Sequence, residues 1–296
     1  MNKIIALSLG ALAVLASVSC RRESTTPEEA REALRSPVTV TASMDGYQVK
    51  ATDVSFEDGD AIGVFALDPF DRVNVRGTVS GTSVNLATPF PWELVSSAVF
   101  LGYYPYDDNL RGVSWTFSVR TDQRTFEDYK NSDLRSAMTT ARHGETVALG
   151  FQHRLSKLTV SAVCEDTSDE VTAVTIGGVV IEAKVDIAAQ TAEAATNRAD
   201  IKAGKAVSGN GNTGFVAILV PQALSDLPLT VTTLKGQTLS FHPESPLSFE
   251  EGYAYTASVR IPKAEPTVGE TLTFSFTVTE WSDGDTLEFQ DVTDND

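Results

Sequence analysis

Val38-Thr39-Val40-Thr41-Ala42 sets the fold, because apolar residues stand at every second place with threonines between them. A period of two puts residues 38, 40 and 42 on one face of an extended chain, as a half-buried strand requires. Similar runs recur at residues 61–66, 95–104, 113–119, 147–151 and 155–163. They continue at 171–176, 179–187, 214–220, 229–234, 238–241, 254–261 and 272–279. Turn residues separate them: Asp58-Gly59-Asp60, Asp107-Asp108-Asn109, Gly177-Gly178, residues 209–214 and Lys235-Gly236. Only residues 131–141 read as a short helix, with Asp133 placed to favour its first turn. Many short strands with turn punctuation predict an all-β protein built of sandwiches rather than alternating strands and helices. Roughly fourteen strands suit two tandem β-sandwich domains, over residues 37–165 and 166–296, joined at the acidic stretch 165–170.

Upstream of the first strand the chemistry changes. Asn2 and Lys3 precede a nearly continuous apolar run at residues 4–18, followed by Ser19-Cys20. That run is shorter than the ~20 residues a spanning helix needs and has the flanks of a secretory signal. A small residue before a Cys, after an apolar core, resembles the lipobox of bacterial lipoproteins, with Ser17 where Leu is commoner. The resemblance implies that residues 1–19 are a leader and that Cys20 carries lipid, which holds the chain in a membrane through several acyl chains. Residues 20–36 are polar and read as a tether.

Hydrophobic residues make up 42% of the chain and charged residues 21%, a globular composition. Acidic residues outnumber basic ones 40 to 23, a formal charge of −17 that disfavours nucleic acid as a partner. Chemistry-bearing motifs are sparse. His143, His153 and His242 have no His or Cys at metal-ligand spacing, and His153 reads as a structural histidine at a strand start. Cys164, in an alternating run, has no partner within the fold and reads as an inert thiol. There is no Gly-x-Ser-x-Gly, and the glycines at 209–214 lack a phosphate loop's Gly-Lys-Ser/Thr ending. Glu57-Asp58-Gly59-Asp60 and Asp283-Gly284-Asp285 lack calcium-loop spacing and read as solvated turns. The expectation is a protein with no cofactor, no metal and no catalytic residue. Tyr103-Tyr104-Pro105-Tyr106 and the widely spread Trp92, Trp115 and Trp281 leave a second reading, a monomeric surface lipoprotein that binds glycan through exposed aromatics such as Tyr104 and Trp115, with core packing the simpler role for these rings.

Several segments in series resemble one family. Phe56-Glu57-Asp58-Gly59-Asp60-Ala61-Ile62-Gly63-Val64-Phe65-Ala66 is similar to the early signature of fimbrillins, the Mfa-like pilins and lipoproteins of Bacteroidetes. Tyr103-Tyr104-Pro105-Tyr106, Asp133-Leu134-Arg135-Ser136-Ala137 and residues 147–158 follow in the family's order. Val220-Pro221-Gln222, Phe249-Glu250-Glu251-Gly252-Tyr253-Ala254-Tyr255 and Trp281 match its second half. The resemblance implies two transthyretin-like sandwiches, a lipid anchor in the outer membrane, a role in a pilus or in adhesion, and a receptor on a host or bacterial surface. It also implies assembly with neighbouring subunits by strand exchange. A protease removes the first strand, here residues 37 to about 47 with Val38, Val40 and Ala42, and the groove accepts a strand from the next subunit. The cut maps near Lys50-Ala51, where this chain has Lys in place of the family's common Arg. Arg35 is an alternative site, but a cut there leaves the strand in place. The donor maps to Leu272, Phe274, Phe276 and Val278 or to residues 286–292.

Overall fold

The computed structural model describes residues 35–44, 56–208, 213–263, 266, 271–281 and 287–290. In chain order the elements are β1 (Val40–Met44), β2 (Ala61–Ala66), β3 (Arg72–Ser80), β4 (Ser83–Leu86), β5 (Ser97–Tyr104) and β6 (Ser114–Ser118). Helix α1 (Phe126–Ser132) precedes β7 (Arg135–Arg142), β8 (Val147–His153), β9 (Ser156–Cys164), β10 (Val171–Val180) and β11 (Glu182–Asp186). Then come β12 (Thr191–Ala194), β13 (Arg198–Lys202), β14 (Gly204–Ser208), β15 (Thr213–Leu219), β16 (Gln222–Leu224) and β17 (Leu229–Thr233). The chain ends in β18 (Thr238–Pro243), β19 (Leu247–Phe249), β20 (Tyr253–Ile261), β21 (Leu272–Glu280) and β22 (Leu287–Phe289). The protein is all-β, as the period-two runs predict.

Seven strands close on themselves in the order β1-β4-β3-β2-β5-β7-β8. Closure removes the open sheet edges that would otherwise template pairing with another chain. Their inner face encloses one core, which includes Val40, Ile62, Val64, Phe100, Leu149 and Phe151. On the outer face of the barrel wall Gly63 permits a close approach: its cross-strand partner is Tyr103, and a Cβ at Gly63 would lie 1.8 Å from that ring. A ten-stranded sheet, β13-β10-β17-β18-β21-β20-β9-β15-β14-β22, encloses a second core. Phe65, Leu101 and Tyr103, from β2 and β5 of the barrel, belong to that second core, so the barrel wall is packed on both faces.

The chain passes between sheets at Arg154 and Leu155. Strand β9 runs parallel to β20 over eight residues, and Leu155, Leu158 and Val160 bury in the second core. The acidic stretch at 165–170 therefore follows β9 rather than separating the sheets. The halves also interlock, because β6 pairs with β11 from Glu182↔Ser118 to Asp186↔Ser114, with β12 beyond.

Two local expectations need correction. The helix lies at Phe126–Ser132, not at 131–141: Thr125 caps it by accepting from the Asp128 amide, and Glu127 and Asp128 fill its first turn. Residues 135–142 instead form β7, paired with β5 along all eight residues. Tertiary pairing thus overrides the helix propensity of Ala137, Met138 and Ala141. Gly177-Gly178 is not a turn between strands. It is a register shift within β10 between Ile176 and Val179, with Gly178 at φ +63°.

Candidate functional site, the seat of the first strand

Strand β1 is held on both edges. Against β8 it runs parallel with five residues in register, from Val40↔Val147 to Met44↔Phe151. Against β4 it runs antiparallel through Val40↔Val84 and Thr41↔Ser83. The Val147 amide donates to the Thr39 carbonyl at 2.8 Å, the Ala42 amide to Thr82 at 2.9 Å and the Val38 amide to Phe90 at 2.9 Å. The hydroxyls of Thr39 and Thr146 meet at 3.1 Å on the outer surface.

The alternation read from the sequence is the burial pattern observed. Val38, Val40 and Ala42 are buried together, and Met44 joins them, while Thr39 and Ser43 face out. Met44, inside the strand expected over residues 37–47, extends the same spacing by one step. The other wall of the seat, Val147, Leu149 and Phe151 of β8, is buried in the same core. Its period-two pattern is visible in the sequence, whereas its parallel partnership with residues some hundred positions earlier is not. Phe70, Phe90, Trp92 and Phe100 form an aromatic cluster in this core, with ring centroids 5.6–5.8 Å apart.

The far end of β8 is fastened by charge. Asp133, fully buried, binds Arg135 at 2.6 Å and the Nδ1 of His153 at 2.8 Å. Burial alone would raise the Asp133 carboxyl, but the charges and hydrogen bonds of Arg135 and His153 outweigh it and hold it at about 2. The His153 ring stacks on Trp281, 3.7 Å between centroids, so the end of β8 rests on the end of β21. Arg154 then bonds Ser136 at 2.7 Å and Glu251 at 2.5 Å, tying barrel to second sheet.

The other expected site residues are more scattered. Cys20, Lys50 and Ala51 lie outside the described residues. Arg35 is exposed and precedes β1. Leu272, Phe274, Phe276 and Val278 stand on β21, which pairs with β20 on one side and with β18 on the other. Phe274 is buried, Leu272 and Phe276 are half-buried, and Val278 is 52% exposed. Among the described residues β22 pairs with β14 alone. Tyr104, offered above as an exposed ring, is buried, because it points into the barrel core. Around Glu57 and Asp60 the cation is Lys130, at 2.5 and 2.7 Å. Cys164 is a half-buried free thiol, and burial pushes its pKa up. Among the described residues no group of three or more His, Cys, Asp or Glu is arranged to hold a metal ion, and no helix is long and apolar enough to cross a membrane.

Comparison with known proteins gives this arrangement a context. A candidate cell adhesion protein from Bacteroides uniformis superposes with a TM-score of 0.63 at 23% identity, covering 84% of this chain and all of its own. Another from Bacteroides ovatus gives 0.68 at 15% identity, covering 84% of this chain and 99% of its own. These likenesses are likenesses of fold. No curated protein sequence matches the chain. A family model described as fimbrillin-like matches residues 50–281, most of the chain from after β1 to Trp281. The chain belongs to the fimbrillin-like family.

Proposed function

We propose that this protein is a pilus-associated adhesive subunit of the outer membrane, assembled by exchange of its first strand. The observation that carries the reading is the two-sided pairing of β1 near the N-terminal end of the barrel. Remove that strand and β4 and β8 become open edges beside an apolar groove, a strong template for another strand. A head-to-tail contact of this kind extends without closing, which yields a fibre.

The cut that frees β1 falls between β1 and β2, at Lys50-Ala51. A cut at Arg35 would leave β1 seated. The donor comes from the C-terminal segment of a neighbour. Strand β21 is paired along all nine residues, 272–274 with β18 and 275–280 with β20, whereas β22 has three paired residues among those described, with Leu287 and Phe289 only half-buried. Releasing the paired residues 287–289 therefore costs less than releasing 272–278. Cys20 would anchor the precursor by its lipid until assembly. No catalytic role is assigned.

Sequencing the N-terminus of protein recovered from assembled surface fibres tests the proposal. A new terminus within residues 45–55, together with heat-stable multimers, is expected. A terminus at Cys20 in such multimers would exclude strand removal.

A further inference from the structure

We infer that a cleft beside the barrel, lined by no residue of the first strand, binds a pyranose sugar. The cleft has a volume of about 520 Å³ and is lined by Arg76, Tyr106, Asp107, Asp108, Trp115 and Arg120, over Tyr103. That volume lies within the ~300–1,000 Å³ of small-molecule sites. No residue of β1 or of the C-terminal strands lines it, so the inference stands apart from strand exchange.

The lining combines the two things a sugar needs. Trp115 is half-buried and lines the cleft, and it supplies the aromatic face, whereas the half-buried Tyr106 ring already carries Arg76 and stacks on Tyr103. An aromatic face carries the negative side of the ring quadrupole, which complements the weakly positive C–H face of a pyranose. The rim supplies both hydrogen-bonding senses for hydroxyl groups: guanidinium donors from Arg76 and Arg120, and a carboxylate acceptor from Asp108. Neither arginine has a carboxylate partner among the described residues, although the chain carries a formal charge of −17. Arg76 lies instead over the Tyr106 ring, 5.6 Å from its centroid.

The cleft is also held in shape before any ligand arrives. Tyr103 is buried beneath it and packs edge-on to Trp115 at 5.1 Å and against Tyr106 at 6.4 Å. Its hydroxyl donates to Asn74 at 2.7 Å or to the Asp107 carbonyl at 2.9 Å, and accepts from the Asp107 amide at 3.1 Å. Asn74 in turn donates to the carbonyls of Asp107 and Leu110, fixing the loop that carries Tyr106 and Asp108. The Asp107 carboxylate is occupied by the backbone and side chain of Asn109. A fixed loop lowers the ordering cost that weakens shallow sites.

The three tryptophans give the test a built-in reporter. Trp92 and Trp281 are buried, so a sugar in the cleft perturbs Trp115 alone. The full chain is first applied to an array of immobilised oligosaccharides ending in galactose, fucose, N-acetylglucosamine or sialic acid. The strongest binder is then titrated while tryptophan fluorescence is followed. Saturable binding is expected, weakened about tenfold by Arg76→Ala, the size of one lost charge-assisted hydrogen bond, at unchanged melting temperature. Trp115→Phe should keep binding and lose the signal, and Trp115→Ala should lose both. Absence of binding across the array would overturn the inference. So would binding that Arg76→Ala and Trp115→Ala both leave intact. Neither failure touches strand exchange, which is read from fibres.

Discussion

A chain that begins after Met44 should fail to keep its barrel shut. Burying a Val or Met side chain is worth roughly 1.5–3 kcal/mol, so losing Val38, Val40 and Met44 removes on the order of 5 kcal/mol or more. The ladder hydrogen bonds to β4 and β8 are lost with them. A loss of that size rivals the ~5–15 kcal/mol that holds a whole domain together. Compared with the full chain, the truncated protein should bind a hydrophobic dye, lose near-ultraviolet dichroism from the Phe70–Trp92–Phe100 cluster and self-associate. A synthetic peptide spanning residues 36–44 should reverse all three changes. The same peptide with Val40→Asp should not, because it would place an unpaired charge in the core. A truncated chain that melts like the intact one would show that β1 only decorates the barrel.

The second large effect concerns Asp133. Replacing it by Ala takes the Asp133 carboxylate from the buried Arg135 and His153, and breaking a buried ion pair costs up to about 3–5 kcal/mol. Arg135 would still lie over Phe56 and Tyr104, 5.6 and 5.3 Å from their centroids, which offsets part of the loss. Denaturant unfolding should show the drop as a lower midpoint. The wild-type chain carries a matching pH signature. The Asp133 carboxyl, ordinarily near 3.8, is held at about 2 in the folded protein. Its contribution is therefore complete above pH ~4 and is lost as pH falls through about 2. Asp133→Asn should flatten that part of the stability profile. An unchanged acid limb in the variant would mean that the buried cluster is not the acid-sensitive element.

Much of this molecule is written in local pattern. The alternation at Val38–Ala42 gives the buried face of β1 directly, and the run at 147–151 gives its partner strand. What pattern could not supply is which strand meets which. The parallel contact of β1 with β8 and the pairing of β6 with β11 each join distant segments, and apolar periodicity carries no information about partners. For the same reason residues 155–163 read as belonging with what precedes them, although they pair in the second sheet. The stretch 135–142 misled because Ala and Met favour a helix in isolation, whereas eight residues of pairing with β5 decide otherwise. Tyr106 and Trp115 are visible as aromatics in the sequence. Only folding brings them to one cleft with Arg76 and Arg120 and turns Tyr104 inward.

Strand replacement itself is best measured with β1 either free or tethered. A specific protease site placed between residues 45 and 55 allows a controlled cut, and Thr39→Cys with Thr146→Cys puts a disulfide where the two hydroxyls now meet at 3.1 Å. The cut, untethered chain should take up a labelled peptide of residues 286–292 and release the segment bearing Val38 to Met44. Tethering should block uptake until reductant is added. Equal uptake by tethered and untethered chains, or none by either, would contradict a barrel whose first strand is exchangeable.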